Sequence, residues 1–455
     1  MTRLAHSIAA TGRAGDSPLI ITPGRALACG AALEARASGD ARRAGRLALH
    51  IADPALLLEA LIALDGDVAA LLLLSHAVAP DIAAALAAQA ECAAIVTDMP
   101  EAAAALAAWS GAVLTPAAAI DATGGRDRGG DAPAATEWLM TTSGTTGLPK
   151  IVPHTLASLA RTVRASEADP PPRWGMLYDP TRFAGAQVLL QAVCGGGALI
   201  APDTDAPLAD QIAFLAAHRV DHMSATPTLW RRLLMAPDCR DLPLRQATLG
   251  GEIVDQGVLD ALKAAFPAAR ITHIYASTEA GVGFAVNDGL AGFPTRFFEK
   301  APGGVRLKAV DDLLWLRAED GRRPERQTAR VDADGFICSE DRLQIEGDRA
   351  YFLGRDNGSI NVGGVKVFPE TVERVILEDA RIRMAKVTAK ASPIMGAVLV
   401  AEVVIDADAD RAAAKRDIQQ RCRASLDRAA TPAVIRFVDD FNVNAAGKIV
   451  RKTGS

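Results

Sequence analysis

Aromatic side chains are scarce in this 455-residue chain, at 4%, although half of its residues are hydrophobic. Alanine and leucine must therefore do most of the packing, so alanine richness is no sign of disorder, and 23% charged residues complete the balance of a globular protein. Cysteine is sparse and scattered. Cys29, Cys92, Cys194, Cys239, Cys338 and Cys422 form no C-x-x-C pair, which argues against a zinc site and a disulfide framework and suits a reducing cytoplasm. A surplus of positive charge is also missing. With 49 basic and 54 acidic side chains the formal net charge is -5, so no net basic field draws the chain to nucleic acid or to an anionic membrane. The longest apolar runs, such as 69–74, are too short to span a bilayer, and the N-terminal stretch lacks the apolar core of a secretory signal. The expectation is a cytoplasmic protein with no membrane span and no nucleic-acid partner.

What the chain does have is alternation. Runs at 47–51 and 69–74 read as buried strands, and 81–94 as a helix with an acidic start leading into a strand at 95–97. Helix then strand recurs at 211–218 and 222–225, and at 258–266 and 270–275. This predicts an α/β fold with mostly parallel sheets and helices on both faces. The Gly-, Asp- and Arg-rich stretch 121–134 reads as an internal loop, because a strand at 136–140 follows at once. From about 357 the texture changes to strands at 384–389 and 397–405 and a charged helix at 411–428, a small α+β domain. The expected organisation is a large N-terminal domain, 1–356, and a small C-terminal domain, 357–455. The length accommodates both.

The most informative segment is TTSGTTGLPK, residues 141–150. Hydroxyls of Thr142, Ser143, Thr145 and Thr146 surround Gly144 and Gly147, and Lys150 adds a charge. Glycine lets successive backbone N–H groups converge on one anion, and hydroxyls and an ammonium add donors, which suits nucleotide phosphates. It is not the common P-loop, because Leu148-Pro149 separates Gly147 from Lys150.

This loop resembles the signature of the adenylate-forming superfamily: acyl- and aryl-CoA synthetases, peptide-synthetase adenylation domains and luciferases. Further motifs follow in family order. IYASTEAG, 274–281, is similar to the family's Y-G-x-T-E motif. The resemblance implies Tyr275 against adenine, Ala276 and Ser277 beside it, Thr278 on the α-phosphate and Glu279 as a Mg²⁺ ligand. Gly251 and Glu252, in the run 249–252, match a segment that runs beside the adenine. GFICSEDRL, 335–343, stands where the family has aromatic-x-T-G-D, with Asp341 as ribose acceptor and Ser339-Glu340 replacing Thr-Gly. In 351–373, Gly354 and Arg355 match the hinge segment, Asn357 takes the place of the usual Asp or Lys, and Asn361 that of a Lys. Gly363, Gly364 and Lys366 fall where CoA synthetases pass the pantetheine thiol and bind phosphate. NAAGKIVRK, 444–452, resembles the C-terminal G-K motif, which makes Lys448 the implied catalytic lysine and Arg451 its later basic partner.

The implied chemistry is attack of a carboxylate on the α-phosphorus of ATP, with Glu279-bound Mg²⁺, Lys150 and Lys448 neutralising charge, then thiolysis by CoA or by a carrier-protein phosphopantetheine supplied in trans. A non-catalytic nucleotide-binding regulator is the rival of another class. Within 177–191, Phe183, Gly185 and Val188 are candidates for an acyl tunnel or for core. Asp179 faintly resembles the amino-group ligand of amino-acid-activating relatives, but Pro180 points to a turn cap, favouring an acid without an α-amino group.

Overall fold

The computed structural model describes residues 3–39, 41, 45–121, 135–142, 148–277, 281–318, 330–392, 395–441, 443 and 447–449. The loop expected at 121–134 lies, beyond residue 121, outside them. By contacts the chain forms two compact units: Met1–Ser224 with Asp241–Arg245, and Ala225–Arg240 with Gln246–Ser455.

In the first unit the alternation becomes a six-stranded sheet. Its order is Lys150–Thr155, Glu137–Thr142, Ala70–Leu73, Arg46–His50, Ala94–Thr97, Ala112–Leu114. Neighbours are parallel except the first pair. Ala70–Leu73 and Ala94–Thr97 are buried along their whole length, as continuous apolar runs require of strands covered on both faces. Helices Pro54–Leu64 and Pro80–Gln89 carry proline in their first turn, where its missing N–H costs nothing. The helix expected over 81–94 stops at Gln89. Glu91 takes a φ of 57°, which a right-handed helix does not tolerate, and the strand starts at Ala94. In a second parallel set, Arg173–Met176 pairs with Ala198–Ile200 on one side and with the strand His222–Ala225 on the other.

The first unit is tied together at Asp65, which is buried. One carboxylate oxygen accepts Trp138 Nε1–H at 2.8 Å and the other accepts the Leu4 backbone N–H at 2.7 Å. Burial pushes this carboxyl above its usual range, with both donors pulling the other way.

In the second unit Gln246–Gly250 runs parallel to Arg270–Ser277, and Gly281–Val286 returns antiparallel to it. An antiparallel sheet follows in the order Phe293–Pro294, Arg349–Arg355, Ile337–Glu346, Leu313–Ala318, Val305–Val310. The scarce aromatics concentrate here: Phe284, Phe293 and Phe297 share a core that Tyr275 and Phe352 join. The C-terminal stretch has the expected α+β texture. A hairpin, Ile360–Val362 with Val365–Val367, is followed by helix Pro369–Leu377 and strands Ile382–Ser392, Gly396–Ile405 and Val434–Phe437. Helix Arg411–Ser425 packs Ile418 and Cys422 into the same core as Val372, Ile376 and Val403. It ends before the expected 428 because Leu426 is extended. Among the described residues no helix is long and apolar enough to cross a membrane.

Asp65→Ala orphans two buried donors at once. The expected outcome is a loss of about 3 kcal/mol or more of stability, read as a lower denaturant midpoint at unchanged secondary-structure content.

Candidate active site

In the first unit the two ends of the phosphate-type loop are closed on each other: Thr142 and Lys150 are cross-strand partners. Ser143, Gly144, Thr145, Thr146 and Gly147 lie outside the described residues. The strand leading into the loop is braced from the side, since Arg182 Nη1 donates to the Thr141 carbonyl at 3.0 Å and to its hydroxyl at 2.7 Å. Asp179 caps a turn, as Pro180 suggested. Its Oδ1 accepts from the Thr181 N–H at 2.9 Å and hydroxyl at 2.6 Å, and its Oδ2 stands 3.9 Å from Arg182 Nε. Of the tunnel candidates, Gly185 is a packing glycine, because a Cβ there would fall 2.1 Å from the Asp179 carbonyl oxygen. Val188 belongs to the core, and Phe183 packs against that core beside the His154 ring.

The second unit gathers residues from distant motifs. Asp341 and Arg355 are cross-strand partners with an ion pair at 3.5 Å, and the Tyr275 hydroxyl donates to Asp341 Oδ2. The Tyr275 ring lies nearly parallel to Phe352, with centroids 5.1 Å apart, and to Phe284 at 5.4 Å, so its plane is fixed. Ala276 follows a register shift in the same strand, which Ser277 ends. Thr278 and Glu279 lie outside the described residues, as does Arg451. Among the described residues no cluster of three His, Cys, Asp or Glu stands ready to hold a metal.

Lys448 is brought to this set from the far end of the sequence. Gly251, with φ 82°, ends the strand Gln246–Gly250 in a conformation that favours glycine. The lysine lies over it: a Cβ on Gly251 would stand 3.4 Å from Lys448 Cε and 3.8 Å from Nζ. Burial draws the Lys448 pKa below its ordinary value. The Glu252 and Asp341 carboxylates pull it back up, and Arg355 adds to the lowering. Glu252 has a second task, since its Oε2 accepts the Thr228 N–H at 3.0 Å in the first turn of helix Pro227–Met235. Asp341 itself is pushed up by burial and held down by Tyr275, Arg355 and Ser339.

Two departures from the family motifs touch each other. Glu340 stands where the family has glycine and keeps a glycine-like φ of 63°, while Asn357 Nδ2, at the hinge position, donates to Glu340 Oε2 at 3.1 Å. Asn361 Oδ1 accepts the Gly364 N–H at 2.9 Å, closing the hairpin turn. The turn glycines differ. A Cβ on Gly363 would meet Met395 Cε at 2.5 Å, whereas one on Gly364 meets nothing within 4 Å. Lys366 is exposed and lies 3.7 Å from Asp356.

One residue of the site escaped the sequence reading, Thr226. Its hydroxyl accepts the Leu229 N–H at 3.1 Å and donates to the carbonyl of Gly447, next to Lys448. Threonine before Pro227 is a helix N-cap signal, but nothing in the sequence says that the same hydroxyl has a second partner.

The chain matches the AMP-binding enzyme family over residues 28–313 and the AMP-binding enzyme C-terminal domain over 371–448. It belongs to this family, within the adenylate-forming superfamily. Among curated relatives, it is 27% identical over 368 residues to the p-hydroxybenzoic acid–AMP ligase FadD22 of Mycobacterium tuberculosis, covering 74% of this chain and 51% of that protein. It is 24% identical over 364 residues to the mitochondrial acyl-coenzyme A synthetase ACSM5 of Mus musculus, covering 72% and 61%. With the probable non-canonical nonribosomal peptide synthetase CymA of Salinispora arenicola it shares 26% over 348 residues, covering 69% of this chain and 4% of that protein. The chain thus spans less than two thirds of the length of each. Similar solved structures include the anthranilate CoA ligase AuaEII in complex with anthranoyl-AMP, with TM-score 0.76, 16% identity and coverage of 97% and 95%. NpsA of Klebsiella oxytoca in complex with 3-hydroxyanthranilyl-AMSN gives TM-score 0.78 at 14% identity, covering 99% and 98%. At these identities the structural likeness speaks for the fold.

Tyr275→Phe removes a donor to the ionised form of Asp341, so the Asp341 pKa rises further. Nucleotide binding, followed by calorimetry across pH, is expected to weaken, and its acid limb to move to higher pH than in the wild type. An unchanged pH profile would mean that Asp341 does not govern nucleotide binding.

Proposed function

We propose that the protein is an AMP-forming acid–thiol ligase, which makes an acyl-adenylate from ATP and a carboxylic acid and then a thioester with CoA. The observation that carries this is the seating of Lys448 over Gly251, among Glu252, Asp341 and Arg355. A half-buried ammonium within electrostatic reach of Glu252 and of Asp341, the carboxylate proposed to meet the ribose, suits phosphoryl chemistry. The donor set fits a nucleotide. Asp341 offers acceptors to ribose hydroxyls, and Tyr275 and Arg355 fix its orientation; the Tyr275 ring, stacked on Phe284 and Phe352, is occupied on its faces and does not offer the surface for adenine that the resemblance implied. Gly251 and Glu252 border the same place.

In the first step a carboxylate oxygen of the acid attacks the α-phosphorus and the bond to pyrophosphate breaks. Lys448 is proposed to neutralise the negative charge that builds up; Lys150 and the 143–147 sequence are assigned to the departing phosphates on the resemblance alone. A Mg²⁺ ion held by Glu279 would supply further charge neutralisation. In the second step a thiolate attacks the acyl carbon and AMP leaves. Residues 357–455 are proposed to turn as one domain about Asp356-Asn357, taking Lys448 out and bringing the Gly363-Gly364 turn in, with Lys366 toward phosphate. The acid is proposed to lack an α-amino group, because one Asp179 oxygen is spent on its own turn and the other, without a hydrogen bond among the described residues, faces the Arg182 guanidinium at 3.9 Å.

The decisive experiment is a panel of carboxylic acids in pyrophosphate–ATP exchange, with and without CoA. Acid-dependent exchange is the expected result, and its absence in folded protein would favour a regulatory nucleotide-binding protein. Thioester formed only with a phosphopantetheinylated carrier would replace the CoA ligase by a carrier-loading enzyme. Lys448→Ala is expected to slow exchange by roughly a hundredfold or more and to spare thiolysis of supplied acyl-adenylate. Because burial lowers the Lys448 pKa, wild-type exchange should also fall on the alkaline side at a pH below that of an ordinary lysine. Gly364 has φ 90° and an open side. Gly364→Asn, tolerable at positive φ, adds bulk there. Thioester production is expected to drop while acyl-adenylate accumulates, counted separately in a quenched assay.

A further inference from the structure

We infer that Thr226 is a positioning residue that seats Lys448 for adenylate formation, an inference that rests on the role of Lys448 proposed above. Thr226 is 1% exposed and its single hydroxyl is used twice, as acceptor for the Leu229 N–H at the start of helix Pro227–Met235 and as donor to the Gly447 carbonyl. The contact is close on several sides. A Cβ on Gly447 would stand 3.4 Å from Thr226 Oγ1 and 3.6 Å from both Thr226 Cγ2 and Leu229 Cδ2, and a Cβ on Gly251 would stand 3.7 Å from Thr226 Cγ2. Thr226 thus touches the glycine before the lysine and the glycine beneath it. Gly447, at φ 67°, is where the chain bends to deliver Lys448.

Among the described residues, the hydrogen bonds that other side chains of this helix make to the C-terminal stretch are exposed. Arg231 reaches the Arg383 carbonyl at 3.4 Å, and Arg232 pairs with Asp440 at 2.9 Å. Exposed pairs of this kind contribute little, whereas a buried carbonyl left without its donor is costly. Beyond the lysine, the backbone is held by the Val443–Ile449 bridge and by Ile449 packing near Met384, Val404 and Phe441. Among the described residues, the Thr226 hydroxyl is therefore a buried polar tie on the other flank of Lys448. The helix that carries it is itself anchored, through Trp230 Nε1 to the Thr248 carbonyl at 2.8 Å and through Arg231 to Asp255 at 2.6 Å.

The test compares wild type, Thr226→Val, Thr226→Ser, Thr226→Asp and Lys448→Ala in two assays, pyrophosphate–ATP exchange and thiolysis of chemically supplied acyl-adenylate. Valine keeps the shape and loses both bonds. Aspartate keeps the helix cap and, in its ionised form, has no proton to donate to the Gly447 carbonyl, so it carries the test even where the valine variant folds poorly. Exchange is expected to fall about tenfold or more for valine and aspartate, in kcat and not in KM. Serine should stay near wild type, and thiolysis should be unchanged in all. Equal losses in both half-reactions, or exchange at the wild-type rate in the valine and aspartate variants, would overturn the positioning role while leaving Lys448 as proposed. Full exchange in Lys448→Ala would overturn the role of the lysine, and this inference with it.

Discussion

A lysine ammonium partly withdrawn from water needs opposite charge close by, and in the second unit carboxylates from separate elements meet that need for Lys448. Glu252 and Asp341 oppose the desolvation of the ammonium, and each is committed elsewhere as well: Glu252 to the start of helix Pro227–Met235, Asp341 to Tyr275 and Arg355. The lysine is thereby coupled to a helix terminus and to a strand pair at once. A charge held this way keeps a defined direction, which a solvated surface lysine does not. The same coupling makes its place conditional, because moving the ammonium leaves two carboxylates to be satisfied by something else.

Much of this was legible in the amino-acid order. Runs of small apolar residues marked the buried parallel strands, because a strand covered on both faces has no polar side to show. His222–Ala225 lies where it was expected. Helix ends were less legible: the Gln89 end depends on the backbone angle of Glu91, and the Ser425 end on Leu426, neither of which composition signals. In the candidate site, Asp341, Arg355 and Lys448 were singled out by their order along the chain, and their proximity shows only in space. Thr226 was hidden for the opposite reason. Its local pattern is that of an ordinary helix cap, and its second bond reaches a residue 221 positions away.

The departures from the family pattern are more coherent in space than in sequence. Glu340 adopts backbone angles natural to the glycine it replaces, a conformation that costs an L residue about 1 kcal/mol or more, and its carboxylate receives the side chain of Asn357. Asn361 turns inward to close the Gly363-Gly364 hairpin. Read singly, each looks like decay of a motif. Together they form local hydrogen-bonded substitutes at the proposed pivot and at the turn beside it.

The Asp65 knot in the first unit bears on the order of events during synthesis. Its two partners, Leu4 and Trp138, are 61 and 73 residues away on either side. Until Trp138 has left the ribosome, the segment from Leu4 to Asp65 holds a carboxylate whose native burial has only half its compensation. Contacts of such long separation close slowly, since loop entropy is lost before packing is gained. Nascent chains ending before Trp138 would thus carry an apolar, alanine- and leucine-rich surface still lacking the strands Glu137–Thr142 and Lys150–Thr155, and this is the stage at which chaperone holding would matter most.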